Sequence, residues 1–244
     1  MAGMERDAGI SITGLTVEKA GRRLLDGIDL MLTESRIGLV GRNGSGKTTL
    51  ARAICGLIEP QAGAVTIRGV DVVRDRKGAL GAVGMIFQNP DHQIIFPTVV
   101  EEIAFGLRQQ GRSRREARAV ARDELAIFGR EDWAERPVAT LSQGQRHLVC
   151  LISVLAMKPS VLLLDEPFTG LDIPTVRQLQ ALLRGLDPQV IHITHDPALL
   201  DGYDRVLWLD GGRVQQDGPA PAVLRDYLAA MTDGGADAFA DLTG

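Results

Sequence analysis

Short apolar runs broken by glycine fill the first third of the chain, and helical amphipathic periodicity takes over after it. Residues 10–17 alternate roughly between apolar and polar positions, 28–32 do likewise, and 64–68 form a third candidate strand. Residues 36–40 are a short apolar strand that runs straight into a glycine-rich turn, after which 47–56 read as a helix. Residues 83–87 are another short strand. The middle of the chain is helical. Thr98 with Glu101, Ser113 with Glu116 and Ser142 with Gln145 each match the capping box, in which a side chain and a backbone amide satisfy each other at a helix start. The third of these opens a run to Met157. Strand and helix then alternate: strand 161–164, helix 174–184, strands 190–194 and 205–209, helix 220–231. Such alternation predicts an α/β fold with a mostly parallel sheet covered on both faces.

Composition narrows the options. The chain has 244 residues, enough for one large domain or two small ones, and its 45% hydrophobic and 24% charged content excludes wholesale disorder. The formal net charge of −4 argues against a dedicated nucleic-acid binder. Two cysteines, Cys55 and Cys150, lie far apart and outside any Cys-x-x-Cys spacing, which excludes a disulfide framework or a structural zinc site. The longest near-apolar run, 148–157, is too short to span a bilayer, and residues 1–9 lack the apolar stretch of a signal peptide. The expectation is a structured domain over 10–231 with loose ends at 1–9 and 232–244. The protein is expected in the cytoplasm, peripheral on the inner face of the cell membrane only where a partner holds it there.

One turn carries chemistry on its own. Gly41-Arg-Asn43-Gly44-Ser45-Gly46-Lys47-Thr48 fits G-x-x-x-x-G-K-[ST] between a predicted strand and a predicted helix, the context the motif requires. Glycines let successive backbone N–H groups curl inward toward phosphate oxygens, and the helix N-terminus adds partial positive charge. Lys47 can reach the β- and γ-phosphates, and the Thr48 hydroxyl can ligate Mg²⁺. The competing reading is a glycine-rich turn that happens to contain Gly-Lys-Thr. Even the functional reading says only nucleoside triphosphate.

The stretch 161–166 is an apolar strand ending in two acids, Asp165 and Glu166. A buried strand delivers Asp165 to the carboxyl edge of the sheet, where it can hold Mg²⁺. Glu166 is placed to polarise an attacking water, which is general-base chemistry. A strand end capped by solvated acids is the alternative. His195 follows the strand 190–194 and shares the predicted sheet edge. A structural histidine and a hydrogen-bond donor to the γ-phosphate both fit it.

Together these motifs resemble the nucleotide-binding subunit of ABC transporters. Leu141-Ser142-Gln143-Gly144-Gln145 is similar to that family's signature. Gln88 sits where the family has its Q-loop, 169–172 looks like the D-loop with Asp172 at its end, and 194–196 looks like the switch-histidine segment. The resemblance covers about 10–230 and implies a P-loop NTPase, RecA-like core with an N-terminal antiparallel β-subdomain and an inserted α-helical subdomain at about 90–158. It implies ATP and Mg²⁺ as cofactors, contacts to nucleotide from 41–49 including Thr49, Mg²⁺ contacts from Thr48, Gln88 and Asp165, and catalytic roles for Glu166, His195 and Gln88. It also implies a second ATPase subunit, either an identical copy or a paralogue. In that arrangement Ser142, Gly144, Gln145 and Asp172 of one chain close over nucleotide held by the other. Spacing alone leaves this open, because an antiparallel helix–strand pair would bring Ser142 back near Asp165 within one chain. Residues 88–99 followed by 101–107 are similar to the ATPases of energy-coupling-factor importers, which take up vitamins, cobalt and nickel. The compact chain and the stretch 36–41 look most like the biotin-transporter branch. Integral-membrane transporter subunits follow as partners, and nucleic acid does not.

The sequence departs from the family in several places. No aromatic precedes Phe87, so the usual adenine-stacking residue is missing near Glu18, Lys19 and Ala20, leaving aliphatic stems or Arg22 and Arg23 for the base. Gln143 stands where glycine is commoner, and Leu148 where arginine is common. Arginines at 108, 112, 114, 115, 118 and 122 form a basic cluster. It reads as a solvated face balanced by Glu116, Asp123 and Glu124, or as a contact for anionic lipid or an acidic loop. A soluble ABC-family ATPase acting on nucleic acid or ribosomes is the rival function, and a P-loop kinase or GTPase a third. The first usually needs an insertion or a second ATPase domain that this length does not allow, and the second would not need 141–145.

Overall fold

The computed structural model describes residues 9–233. The expectations for 1–8 and 234–244 lie outside the described residues. Two sheets organise the chain. The first is antiparallel, with strand order β2-β1-β4-β5, built from β1 (Ile10–Lys19), β2 (Arg22–Leu32), β4 (Ala62–Ile67) and β5 (Val70–Asp71). The second has the order β10-β9-β3-β8-β7-β6. Its strands are β3 (Arg36–Val40), β6 (Val83–Ile86), β7 (Val161–Asp165), β8 (Gln189–Ile193), β9 (Arg205–Asp210) and β10 (Arg213–Pro219), all parallel except β10.

The inner strands are buried on both faces, which is why they read as unbroken apolar runs rather than as alternation. Every residue of β7 and β8 is buried. Each buried leucine or isoleucine there contributes about 1.5–3 kcal/mol relative to exposure. One core fills the space between the two sheets and takes in the helix α1 (Lys47–Ile54). A second lies over the opposite face of β7 and β8. The helices α5 (Gln143–Ala156) and α6 (Ile173–Arg184) build that layer. Gly84 on β6 sets how closely α5 approaches, since a Cβ there would sit 2.1 Å from Val154 Cγ1.

Within 90–158, the helices α3 (Val99–Gln109), α4 (Arg114–Ile127) and α5 enclose a separate core of Ile103, Leu107, Leu125, Val149 and Ile152. The last helix, α7 (Ala220–Asp233), packs Val223 and Tyr227 against Val40 and Val206. Among the described residues no helix is long and apolar enough to cross a membrane. The Cys150 thiol is buried in α5, and Cys55 follows α1. Burial pushes both thiols up to about 12, with the charge of Asp165 adding at Cys55.

The structure departs from several expectations. The second strand begins at Arg22 rather than at residue 28, because its charged first half pairs with β1 at Glu18↔Arg23 and Lys19↔Arg22. The helix α2 (Arg76–Ala82) and the strands β5 and β10 were not expected. The Thr98–Glu101 capping box does not form. The Thr98 hydroxyl donates to Glu101 Oε2 at 2.7 Å, and the first amides of α3 donate instead to Arg136 O and Ala134 O. The boxes at Ser113–Glu116 and Ser142–Gln145 are both complete.

His192, in the middle of β8, is 1% exposed. Its Nδ1 lies 3.0 Å from the Tyr203 hydroxyl, and Phe168 meets its ring edge-on. Burial drops its pKa from 6.5 to about 3. Between those values the unfolded chain binds a proton that the folded chain refuses. This contribution to stability is therefore complete above pH 6.5 and lost as pH falls toward 3, at about 1.4 kcal/mol per pH unit. His192→Leu is expected to flatten the acid limb of urea-unfolding stability between pH 6 and 4. Parallel limbs for the two proteins would assign that acid sensitivity elsewhere.

Candidate functional site

The parallel register fixes the site. Leu39, Ile193 and Asp165 lie in one row, since Ile193 pairs with Leu39 on one side and Asp165 on the other. Ile86 pairs with Leu164 one step behind. The segments leaving β3, β8, β7 and β6 therefore emerge side by side. They carry the glycine-rich turn, His195, Asp165 with Glu166, and Gln88. One open cavity of about 480 Å³ receives them. Its wall includes Asn43, Gly44, Gly46, Lys47, Thr48 and Thr49 from the turn, Gln88, Asp165, Glu166 and His195 from the other strand ends, and Leu24 from β2.

The turn leaves β3 where close packing tolerates only glycine. A Cβ on Gly41, at φ 154°, would stand 2.2 Å from Leu209 O. Gly44, at φ 78°, has open space where its side chain would be, the concavity a phosphate needs. Gly46 caps α1 in a left-handed conformation without a side-chain hydrogen bond, so the first amides of α1 point at the cavity's contents. The Ser45 hydroxyl is buried with no partner among the described residues. Lys47 is 8% exposed, and its ammonium donates to Gly41 O at 2.7 Å and Arg42 O at 2.9 Å. Burial lowers its pKa, against the opposing charges of Glu166 and Asp165.

Asp165 is 7% exposed and takes one long hydrogen bond, 3.4 Å, from the Thr48 hydroxyl. Burial raises its pKa; Thr48 and the nearby Arg52 and Lys47 charges pull the other way, and Glu166 adds to the rise. Glu166 holds a left-handed backbone, φ 51°, fixed by its amide donating to Ile193 O at 3.0 Å. A non-glycine residue there carries strain of about 1 kcal/mol or more. That turn aims its carboxylate at His195, whose Nδ1 lies 2.7 Å from Glu166 Oε2. Against an ionised carboxylate, Nδ1 is the donor.

The signature residues form a second cluster. Ser142 Oγ accepts from the Gln145 amide at 3.3 Å, and Gln145 Oε1 accepts from the Ser142 amide at 2.9 Å. Gln143 Nε2 reaches Thr169 O at 3.5 Å. A Cβ on Gly144 would lie 2.8 Å from Thr175 Cγ2. Asp172 caps α6 by accepting from the Thr175 amide at 2.8 Å, and the Thr175 hydroxyl together with that amide holds its carboxyl below the usual range. Gln143 and Gly144 thus lie against 169–175, and none of Ser142, Gly144, Gln145 and Asp172 lines the cavity around Lys47. Ser142 is thus not part of the wall that Asp165 shares with Lys47.

Sequence reasoning missed Leu24, the aliphatic residue that lines this cavity from β2. No motif marks it, because a leucine in a strand reads as core. Arg23, one of the arginines offered for the base, is already engaged by Glu18 at 3.2 Å and Asp26 at 2.7 Å. The basic cluster is also redistributed. Arg118 pairs with Glu135 and Glu101, and Arg122 pairs with Glu135, rather than with Glu116, Asp123 or Glu124.

Known proteins share this arrangement. The ABC transporter family model matches residues 25–169. The biotin transport ATP-binding protein BioM of Rhodobacter capsulatus is 55% identical over 222 residues, covering 91% of this chain and 95% of that protein. The energy-coupling factor transporter ATP-binding protein EcfA of Methanosphaera stadtmanae is 39% identical over 214 residues, covering 84% of this chain and 77% of that one. Among solved structures, cbiO1 from Clostridium perfringens, part of the ABC transporter complex cbiONQ, matches with a TM-score of 0.75 at 27% identity, over 93% of this chain and 95% of its own. With its phosphate turn, paired acids and signature on one P-loop framework, the chain belongs to the ABC transporter family as an ATP-binding, ATP-hydrolysing subunit.

Proposed function

We propose that this chain energises an energy-coupling-factor importer and that its cargo is biotin. The observation that carries the reading is the convergence of Lys47, Asp165, Glu166 and His195 at adjacent strand ends. The cargo rests on likeness to BioM, because an ATPase subunit does not itself touch what is transported.

The geometry supports a role for each residue. The Lys47 ammonium, held by two backbone carbonyls, exchanges them for β- and γ-phosphate oxygens, while the amides of 43–49 receive the remaining phosphate charge. The Thr48 hydroxyl, the Asp165 carboxylate and the Gln88 amide oxygen are hard oxygen donors that suit Mg²⁺. Asp165 in particular is a buried carboxylate with no ion-pair partner among the described residues. Bound there, Mg²⁺ would neutralise charge on the β- and γ-phosphates. Glu166 takes the proton of the attacking water, and His195 orients that carboxylate through Nδ1. Leu24 supplies the apolar surface under the base.

The signature cluster completes a second subunit's site rather than its own, so the working unit is a pair, with Ser142, Gly144, Gln145 and Asp172 closing on the partner's nucleotide. Gln88 reports the state of the site to an integral-membrane subunit, which contacts the segment just after it. On this reading the protein works at the cytoplasmic face of the membrane.

Glu166→Gln is expected to bind ATP yet hydrolyse it about 10²–10⁴-fold more slowly, the usual worth of a general base. It should elute as a dimer from gel filtration in ATP and Mg²⁺, and a monomeric, fully active variant would refute the assignment. Lys47→Ala is expected to weaken ATP binding about ten- to a hundredfold by equilibrium dialysis, on the scale of one charge-assisted hydrogen bond. Unchanged affinity would sink the phosphate-turn reading. In cells lacking their own biotin importer, the chain with its membrane subunits should restore uptake of labelled biotin. Uptake of cobalt alone would move the cargo.

A further inference from the structure

We propose that the corner joining α3 to α4 is a docking surface for an anionic lipid bilayer. Four arginines crowd this corner: Arg108 near the end of α3, Arg112 in the turn, and Arg114 and Arg115 in the first turn of α4. All four are exposed. None has a carboxylate within ion-pair distance among the described residues, in contrast to Arg118 and Arg122 just beyond them. The nearby acids are committed elsewhere. Glu116 closes the capping box with Ser113, and Glu101 is shared by Thr98 and Arg118. Four arginines without an ion-pair contact thus gather here, with the single charge of Glu116 near Arg112, on a chain whose net charge is −4.

Two further observations favour a lipid surface over plain solvation. Arg114 and Arg115 stand at the positive end of the α4 dipole, where cations are disfavoured and acids preferred. Helix stability therefore does not account for them. The corner is also amphipathic. Phe96 and Phe105 lie with ring centroids 5.1 Å apart beside Arg108 and Arg114, and Ile95 is exposed next to them. Flexible guanidinium groups flanking aromatic and aliphatic side chains match the boundary between headgroups and acyl chains. An acidic peptide would find little to enter, since the depression between Phe96, Phe105 and Arg114 is a shallow one of about 90 Å³. The inference rests on the membrane-importer reading, because it turns this corner toward the bilayer that holds the membrane subunit.

The test is flotation of the purified subunit with vesicles of phosphatidylglycerol and phosphatidylcholine, and with phosphatidylcholine alone. Binding is expected only to the anionic vesicles and should fall steeply with salt. The triple variant Arg112→Glu, Arg114→Glu, Arg115→Glu is expected to lose at least about a hundredfold in vesicle affinity, from roughly a fivefold loss for each basic charge removed at the surface. It should keep its ATPase activity and unfold no more easily than the parent, because acids suit that helix start. The corresponding triple alanine variant gives the same comparison without charge reversal. Equal binding to neutral vesicles, or variants that bind anionic vesicles as well as the parent, would overturn the proposal. Variants that keep vesicle affinity but no longer co-purify with the membrane subunits would transfer the surface to an acidic protein segment. Failure of the importer reading shows separately, as absent uptake with an intact parent subunit.

Discussion

The in-register pairing of β3, β8, β7 and β6 is the constraint on which the rest of the molecule depends. Each site residue lies within a few positions of a strand end, and the row Leu39–Ile193–Asp165 brings those ends to one level. A slip of one residue in β8 would carry His195 about 3.3 Å along the strand and turn its neighbours to the opposite face. Burial on both faces prevents that slip. His192 and Ile191 would exchange sides, and each side is packed by a different layer of helix or sheet.

The same burial creates opposite electrostatic demands in one cavity. It lowers the pKa of Lys47 and raises that of Asp165. Each group is thus less content with its charge than it would be in water. A polyanion beside the lysine and a divalent cation beside the aspartate relieve both together. Glu166 adds backbone strain to these costs, and the hydrogen bond to Ile193 that stabilises its turn ties its carboxylate to the same strand that leads into His195.

Much of this was legible in the chain because the site sits on strands that must be apolar throughout. Runs such as 36–40 and 161–165 stand out for that reason, as do the glycines that geometry forces between them. What escaped notice was amphipathic or mixed. The strand β10 alternates exposed and half-buried residues and reads as a polar loop. In the first half of β2, Arg23 and Asp26 pair with each other, with Glu18 of β1 and with Arg213 of β10 instead of entering a core. The short α2 contains two glycines, which weaken any helical signal. Leu24 was invisible because its role depends on which strand end faces it. Two of the three capping boxes formed, and the third lost its backbone partner because the start of α3 is anchored by residues 134 and 136.

The two cysteines have a practical consequence. With their thiols held near 12 by burial, neither ionises to the reactive thiolate at neutral pH. Cys150, buried in α5, is thereby shielded from maleimide and methanethiosulfonate reagents, and half-buried Cys55 is slowed toward them. Spin labels or fluorophores can be placed at single introduced cysteines on the surface without first removing Cys150 from α5. Distances between the signature cluster of one subunit and the phosphate turn of another thus become measurable in the unaltered core.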